Sequence, residues 1–149
     1  MTTNADHIAR KCADSLWALD TTSRSLGMQL DEVGPGTATF SMPVRDDMLN
    51  GHGTCHGGAI FSLADSAFGY ASNTFDERSV AQHCTITYIE PARGGDILIA
   101  RARAISRKGR SGIYDVTVST SQGAVVAEFR GHSRTVGGPV IGSGVSDAS

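Results

Sequence analysis

The stretch His52–Phe68, "HGTCHGGAIFSLADSAF", gathers two histidines, a cysteine, three glycines and one carboxylate, Asp65. His52 and His56 are four apart, as metal ligands on a helix can be. Gly51 and Gly53 argue against a helix there, and no third ligand follows, so no metal is expected. Cys55 beside His56 has the composition of a thiol nucleophile and its base. A thiolate needs that base in contact, and sequence neighbours often point apart. Cys55 therefore reads as a small space-filling residue, and Cys12 and Cys84 as core.

Two less conspicuous groups remain. Ile60, Ala64, Ala67, Phe68 and Ala71 recur at steps of three and four, which predicts a buried helix from His56 to about Asn73, opened by Gly57-Gly58. The first N–H groups of a helix have no partner within it and lie along a favourable dipole. Glycine leaves that backbone open to a ligand, so the Gly57 N–H is a candidate oxyanion donor. The same pair equally serves a turn or close packing. Asp65 sits among apolar neighbours, where charged groups are seldom buried unless paired or used. Its alternative place is a solvated stripe shared with Ser62, Ser66 and Ser72. Asn50, in Asn50-Gly51, reads as a turn residue.

The elements that must position these groups follow from the rest of the chain. A helix is expected from about Asp6 through Leu19, then a break at "DTTSRSLG" and a turn at "EVGPG". Thr37–Val44 alternates as a half-buried strand. After the central helix come four alternating segments: Ser79–Glu90, Asp96–Ser106, Gly112–Thr120 and Ala124–Val136. Short connections between them imply an antiparallel sheet. The expected architecture is α+β, one long helix wrapped by about five strands. Residues 1–8 are expected to be a flexible segment, 9–138 a single domain, and the Gly/Ser-rich 139–149 a disordered tail. Exposed sheet edges favour association with another copy.

Composition narrows the classes. The chain has 149 residues with 13 Lys+Arg against 15 Asp+Glu, a formal charge of -2, which gives no drive toward nucleic acid. No apolar run approaches a membrane span, the N-terminus lacks the apolar stretch of a signal peptide, and three cysteines suit a reducing cytoplasm.

"NGHGTCHGGAIFSLADSAFGYASN" resembles the hotdog-fold acyl-CoA thioesterases, and more narrowly the PaaI type associated with phenylacetate breakdown. The shared core is His56, Gly57, Gly58, Phe61, Leu63, Ala64 and Asp65, supported by "CTITYIEPARGGD" and "FRGHSRTVGG". The resemblance implies the hotdog fold and hydrolysis of aryl- or hydroxyaryl-acetyl-CoA, with coenzyme A as part of the substrate and no cofactor. It makes Asp65 the catalytic carboxylate, as general base or nucleophile, and His56 a substrate-positioning residue; Asn50 would orient the water or the carboxylate. The Arg93-Gly94 pair and the basic turn Arg107, Lys108, Gly109 and Arg110 are the candidates for holding the phosphates of coenzyme A, and Gly58 is a further substrate-binding candidate. A polar helper on the following strand would be His83 or Thr85. The alternative is a non-catalytic acyl-CoA-binding module. Hydratases of this fold use a His-centred set not found intact here.

Spacing adds one constraint. Gly57 and Asp65 are eight residues apart, roughly 12 Å along a helix axis. A carbonyl held by Gly57 needs its attacking group at about 3–3.5 Å. Two antiparallel copies of the helix satisfy this, as the resemblance to hotdog dimers also implies, with a dimer of dimers as the expected assembly. A monomer should be inactive.

Overall fold

The computed structural model describes residues 2–142. Helix α1 (Asn4–Trp17) opens with a capping box in which Thr3 and Asp6 satisfy each other's backbone N–H groups. The helix thus begins inside the segment 1–8 that was expected to be flexible. A short helix α2 (Thr21–Ser25) follows, capped by Asp20, where the sequence suggested only a break. Strands β1 (Gln29–Gly34) and β2 (Thr37–Pro43) form a hairpin, then come the central helix α3 (Gly57–Ser72) and strands β3 (Ser79–Tyr88), β4 (Ile97–Lys108), β5 (Ser111–Thr120) and β6 (Val125–Thr135).

The sheet has six antiparallel strands in the order β1-β2-β4-β5-β6-β3, one more than the five expected. The additional strand is β1, whose "QLDEVG" has no clean alternation and pairs with β2 across a register shift. The sheet curves around α3. Phe40, Met42, Leu98, Val116 and Val118 from its inner face meet Leu63, Ala64, Ala67 and Phe68 from the helix, all essentially inaccessible to water. This shared core fixes the rotation of α3 and hence which residues face outward. Gly131 on β6 is part of that fit: a Cβ there would lie 2.7 Å from the Phe68 ring.

The outer face is polar, with Asp115 held in a two-pronged pair by Arg130 at 2.6 and 2.8 Å. β3 ends the sheet and its free edge carries Val80 and Tyr88, each 49% exposed. At the C-terminal side, Val140 is buried and the N–H groups of Val140 and Ile141 donate to Asp76 Oδ1 at 2.9 Å. Residues 139–142 of the expected tail are therefore packed on the domain; 143–149 lie outside the described residues.

Candidate active site

The N-terminal end of α3 is built by a tightly tied loop. Asn50 Oδ1 accepts the N–H groups of His52 at 2.9 Å and Thr54 at 3.2 Å, and Asn50 Nδ2 donates to Thr54 Oγ1. The Cys55 N–H donates to the Ala92 carbonyl at 2.8 Å and the His56 N–H to Met48 at 2.7 Å. His56 then stands at the cap with extended backbone, φ -60° and ψ 134°. Its Nδ1 accepts the Gly58 N–H at 2.9 Å. An accepting Nδ1 places the proton of the neutral ring on Nε2. Among the described residues the Gly57 N–H has no hydrogen-bond partner.

The two glycines of the pair differ in how their backbone is used. Gly58 is used internally, and a Cβ on it would lie 3.1 Å from His56 Nδ1. Gly57 keeps its donor while packing against Tyr88: a Cβ would sit 3.0 Å from Tyr88 Cζ and Oη, and that hydroxyl donates to the Gly57 carbonyl at 2.8 Å. Tyr88 is a site neighbour that sequence reasoning missed, although its alternation with Cys84 and Ile86 puts it on the helix-facing side. Gly57, Asn50, Cys55 and Tyr88 share a cleft of about 380 Å³.

Asp65 opens into a different cavity, about 720 Å³, walled by α1, α2 and the outward side of α3. The side chain is half-buried, and among the described residues no hydrogen bond or ion pair reaches it. Burial alone pushes its carboxyl above the ordinary carboxylate value. Asp65 lines this cavity together with Ser62 and Ser66, two of the three serines of its alternative stripe, while Ser72 is buried; Ser62 and Ser66 have hydrogen-bond partners of their own. Cys84 on β3 is its neighbour across the helix–sheet junction, its thiol raised first by burial and then by the Asp65 charge. Gly57 and Asp65 thus lie in separate cavities, as their spacing requires.

Other expected site residues are placed less favourably. On β3 a register shift between Ala81 and His83 sets His83 opposite His132, and the two rings meet edge-on at 5.5 Å. Thr85 shares a surface pocket with Asp115 and Arg130 on the outer face. Neither His83 nor Thr85 lies on the Asp65 side within one protomer, because alternation gives that side to Cys84. Arg93 is exposed and bridges Thr54, at the start of α3. Arg107 instead stacks over Phe75, 3.3 Å from the ring centre, past the other end of the helix. A 16-residue helix spans about 24 Å, so one protomer does not join Arg93-Gly94 to Arg107, Lys108, Gly109 and Arg110. Cys55 is buried and its thiol is pushed up by that burial, which disfavours the thiolate form. Among the described residues no group of three or more His, Cys, Asp or Glu could hold a metal.

Comparison with known proteins decides the family. The thioesterase superfamily profile matches residues 52–127, the segment from the His52 loop into β6. The acyl-coenzyme A thioesterase PaaI of Escherichia coli is 39% identical over 136 residues, covering 91% of this chain and 97% of that protein. The chain belongs to the thioesterase superfamily. This thioesterase also superposes on the structure of E. coli PaaI, a protein of the phenylacetic acid degradation operon, with a TM-score of 0.90, covering 91% of this chain and 99% of that one. A Thermus thermophilus phenylacetic acid degradation protein PaaI matches with a TM-score of 0.76 at 38% identity, covering 78% and 100%. A Streptococcus mutans protein bound to acetyl-CoA matches with 0.73 at 26% identity, covering 75% and 90%. The hotdog fold of this thioesterase is thereby established, and no helix among its described residues is long and apolar enough to cross a membrane.

Proposed function

We propose that this thioesterase hydrolyses acyl-CoA thioesters of the aryl-acetyl or hydroxyaryl-acetyl class to the free acid and coenzyme A, in the cytoplasm. The observation that carries the reading is the pairing of an unpartnered helix-terminal N–H at Gly57 with an unpartnered, half-buried carboxylate at Asp65. Preorganised donors aimed at developing charge are a large catalytic term. Gly57 N–H polarises the thioester carbonyl, with the Nε2–H of His56 beside it and Asn50 holding the loop. Asp65, its proton affinity raised by burial, either takes a proton from the attacking water or attacks the carbonyl to form an anhydride that water then opens. In both routes the C–S bond breaks and the CoA thiolate leaves.

The two groups act on one carbonyl when two protomers run their α3 helices antiparallel. The free β3 edge with exposed Val80 and Tyr88 supports such pairing. That pairing also brings the Arg107–Arg110 turn of one protomer toward the Arg93 end of the other, which supports a shared cradle for coenzyme A phosphates. By resemblance the dimers pair again into tetramers.

The test is hydrolysis of an acyl-CoA panel by wild type and Asp65→Ala. Wild-type turnover of arylacetyl-CoA that is lost in Asp65→Ala is the expected result. Binding without hydrolysis in the wild type would leave a non-catalytic acyl-CoA module instead. Label on Asp65 after a single turnover in heavy-oxygen water would mark an anhydride opened at the Asp65 carbonyl carbon, because the general-base route puts the label only in the released acid.

A further inference from the structure

Two hydrogen bonds at the start of α3 meet on one peptide unit. The Tyr88 hydroxyl donates to the Gly57 carbonyl at 2.8 Å. The N–H of that same peptide, carried by Gly58, donates to His56 Nδ1 at 2.9 Å. A phenol on β3 is thus joined through a single amide to the imidazole that caps the helix. The direction of the chain is fixed at both ends. A carbonyl only accepts, so the phenol must give its proton, and burial lifts that phenol above its ordinary value. Nδ1 accepts from an amide, so the neutral ring carries its proton on Nε2.

The glycine pair makes room for both ends. A Cβ on Gly57 would lie 3.0 Å from Tyr88 Cζ and Oη, and one on Gly58 would lie 3.1 Å from His56 Nδ1. Each glycine therefore leaves space for one partner of the shared peptide. The Gly57 carbonyl has a lone pair to spare for the phenol, since the helix ladder takes only one. The His56 ring, for its part, depends on this chain. Among the described residues no other hydrogen bond, ion pair or ring contact reaches it. Its tautomer and its plane are set by the Gly58 N–H.

We infer that Tyr88 is a positioning residue for His56: acting through the peptide between Gly57 and Gly58, it holds the imidazole with Nε2–H turned away from the helix start, toward the thioester carbonyl. The inference rests on the thioesterase reading, which sets that Nε2–H beside the Gly57 N–H. Donation to a carbonyl polarises its amide, and each bond in such a chain strengthens the next by roughly 10–30%. The phenol makes the Gly58 N–H a better donor and so disfavours the tautomer protonated on Nδ1, which would set two protons face to face. A ring in that other tautomer offers the thioester a lone pair where a donor is needed. Tyr88 itself touches no reacting atom, because its proton is spent on the carbonyl.

The test is a cycle of Tyr88→Phe, His56→Ser and the double variant, read as kcat and KM for an arylacetyl-CoA. Phenylalanine keeps a ring against Gly57 and removes only the donor; serine keeps a cap acceptor for α3 and removes the imidazole. Tyr88→Phe is expected to lower kcat about three- to tenfold, the worth of one hydrogen bond, with KM within about twofold. His56→Ser should lower kcat at least as far, and the double variant no further, because the phenol then has no imidazole to act on. A loss that repeats in full in the His56→Ser background shows a merely structural phenol and overturns the inference, as does wild-type kcat in Tyr88→Phe. Nitrogen NMR of the free, histidine-labelled protein, at a pH above the histidine range, reads the ring without turnover. The His56 signals, assigned by their loss in His56→Ser, should show a protonated Nε2 and a bare Nδ1 in wild type and a mixture of tautomers in Tyr88→Phe. The same pure tautomer in both proteins overturns the inference alone. No hydrolysis of arylacetyl-CoA by wild type, or wild-type kcat in His56→Ser, overturns it together with the reading beneath it.

Discussion

Gly57 can be changed in a way that deletes its N–H and little else. It is the first residue of α3, where proline is tolerated because the missing N–H has no helical partner. His56 before it has φ -60° and ψ 134°, the extended conformation that a following proline demands. Gly57→Pro therefore preserves the helix start and removes only a donor that no described residue uses. Any side chain there also meets Tyr88, with a Cβ 3.0 Å from its ring and hydroxyl, so Gly57→Ala is the control that adds the contact and keeps the N–H. Loss of one oxyanion donor costs about 10²–10³ in kcat, or roughly 2.7–4 kcal/mol of transition-state stabilisation. Steady-state acyl-CoA hydrolysis, followed by thiol release, should show Gly57→Pro below Gly57→Ala by about that factor. Circular dichroism and thermal melting should be similar for the two. Equal activity in Pro and Ala variants would refute the oxyanion role of this N–H.

Asp65→Asn should lower kcat by roughly 10²–10⁴ while raising stability at neutral pH by about 1 kcal/mol, or about 2–4 °C in melting temperature. The gain follows from a carboxyl whose folded pKa is raised by burial: its ionised form destabilises the fold, fully above the raised value and not at all below the unfolded one. The melting difference should therefore vanish in acid, and wild-type kcat should fall with acid above the ordinary carboxylate range; a difference that persists in acid would contradict this. Cys55→Ala should leave kcat within about twofold, because a buried thiol held protonated is not the nucleophile, and a larger loss in turnover would count against that. Gly131→Ala should cost about 1–3 kcal/mol by denaturant titration, since its Cβ would fall 2.7 Å from the Phe68 ring; an unchanged midpoint would mean the sheet can yield there.

What was legible in the sequence was whatever has a period or an unusual chemical type. The three-and-four spacing from Ile60 to Ala71 gave α3 within a residue of each end. Strict alternation gave β2 and the four strands after the helix. β1 was lost because Asp31, Glu32 and Gly34 interrupt its pattern, and its pairing with β2 rather than its own composition makes it a strand. Asp65 stood out as a charge among apolar neighbours. Contacts between distant segments were not legible. The Tyr88 hydroxyl on the Gly57 carbonyl joins residues 31 apart, and the Asp20–Tyr70 bond joins residues 50 apart. The strand bulge between Ala81 and His83 leaves no mark in composition either. The basic turn at 107–110 showed its charge in the sequence, but not that Arg107 stacks over Phe75.

The central claim is that each active site takes Gly57 from one protomer and Asp65 from its partner. Co-expression of Gly57→Pro and Asp65→Ala chains under two different tags, with purification through both, isolates the mixed dimer for an acyl-CoA hydrolysis assay. Each variant homodimer should be inactive. The mixed dimer retains one site with both groups intact and should recover about half the wild-type rate per dimer. A mixed dimer as inactive as its parents would place both groups in one protomer's site and contradict the account.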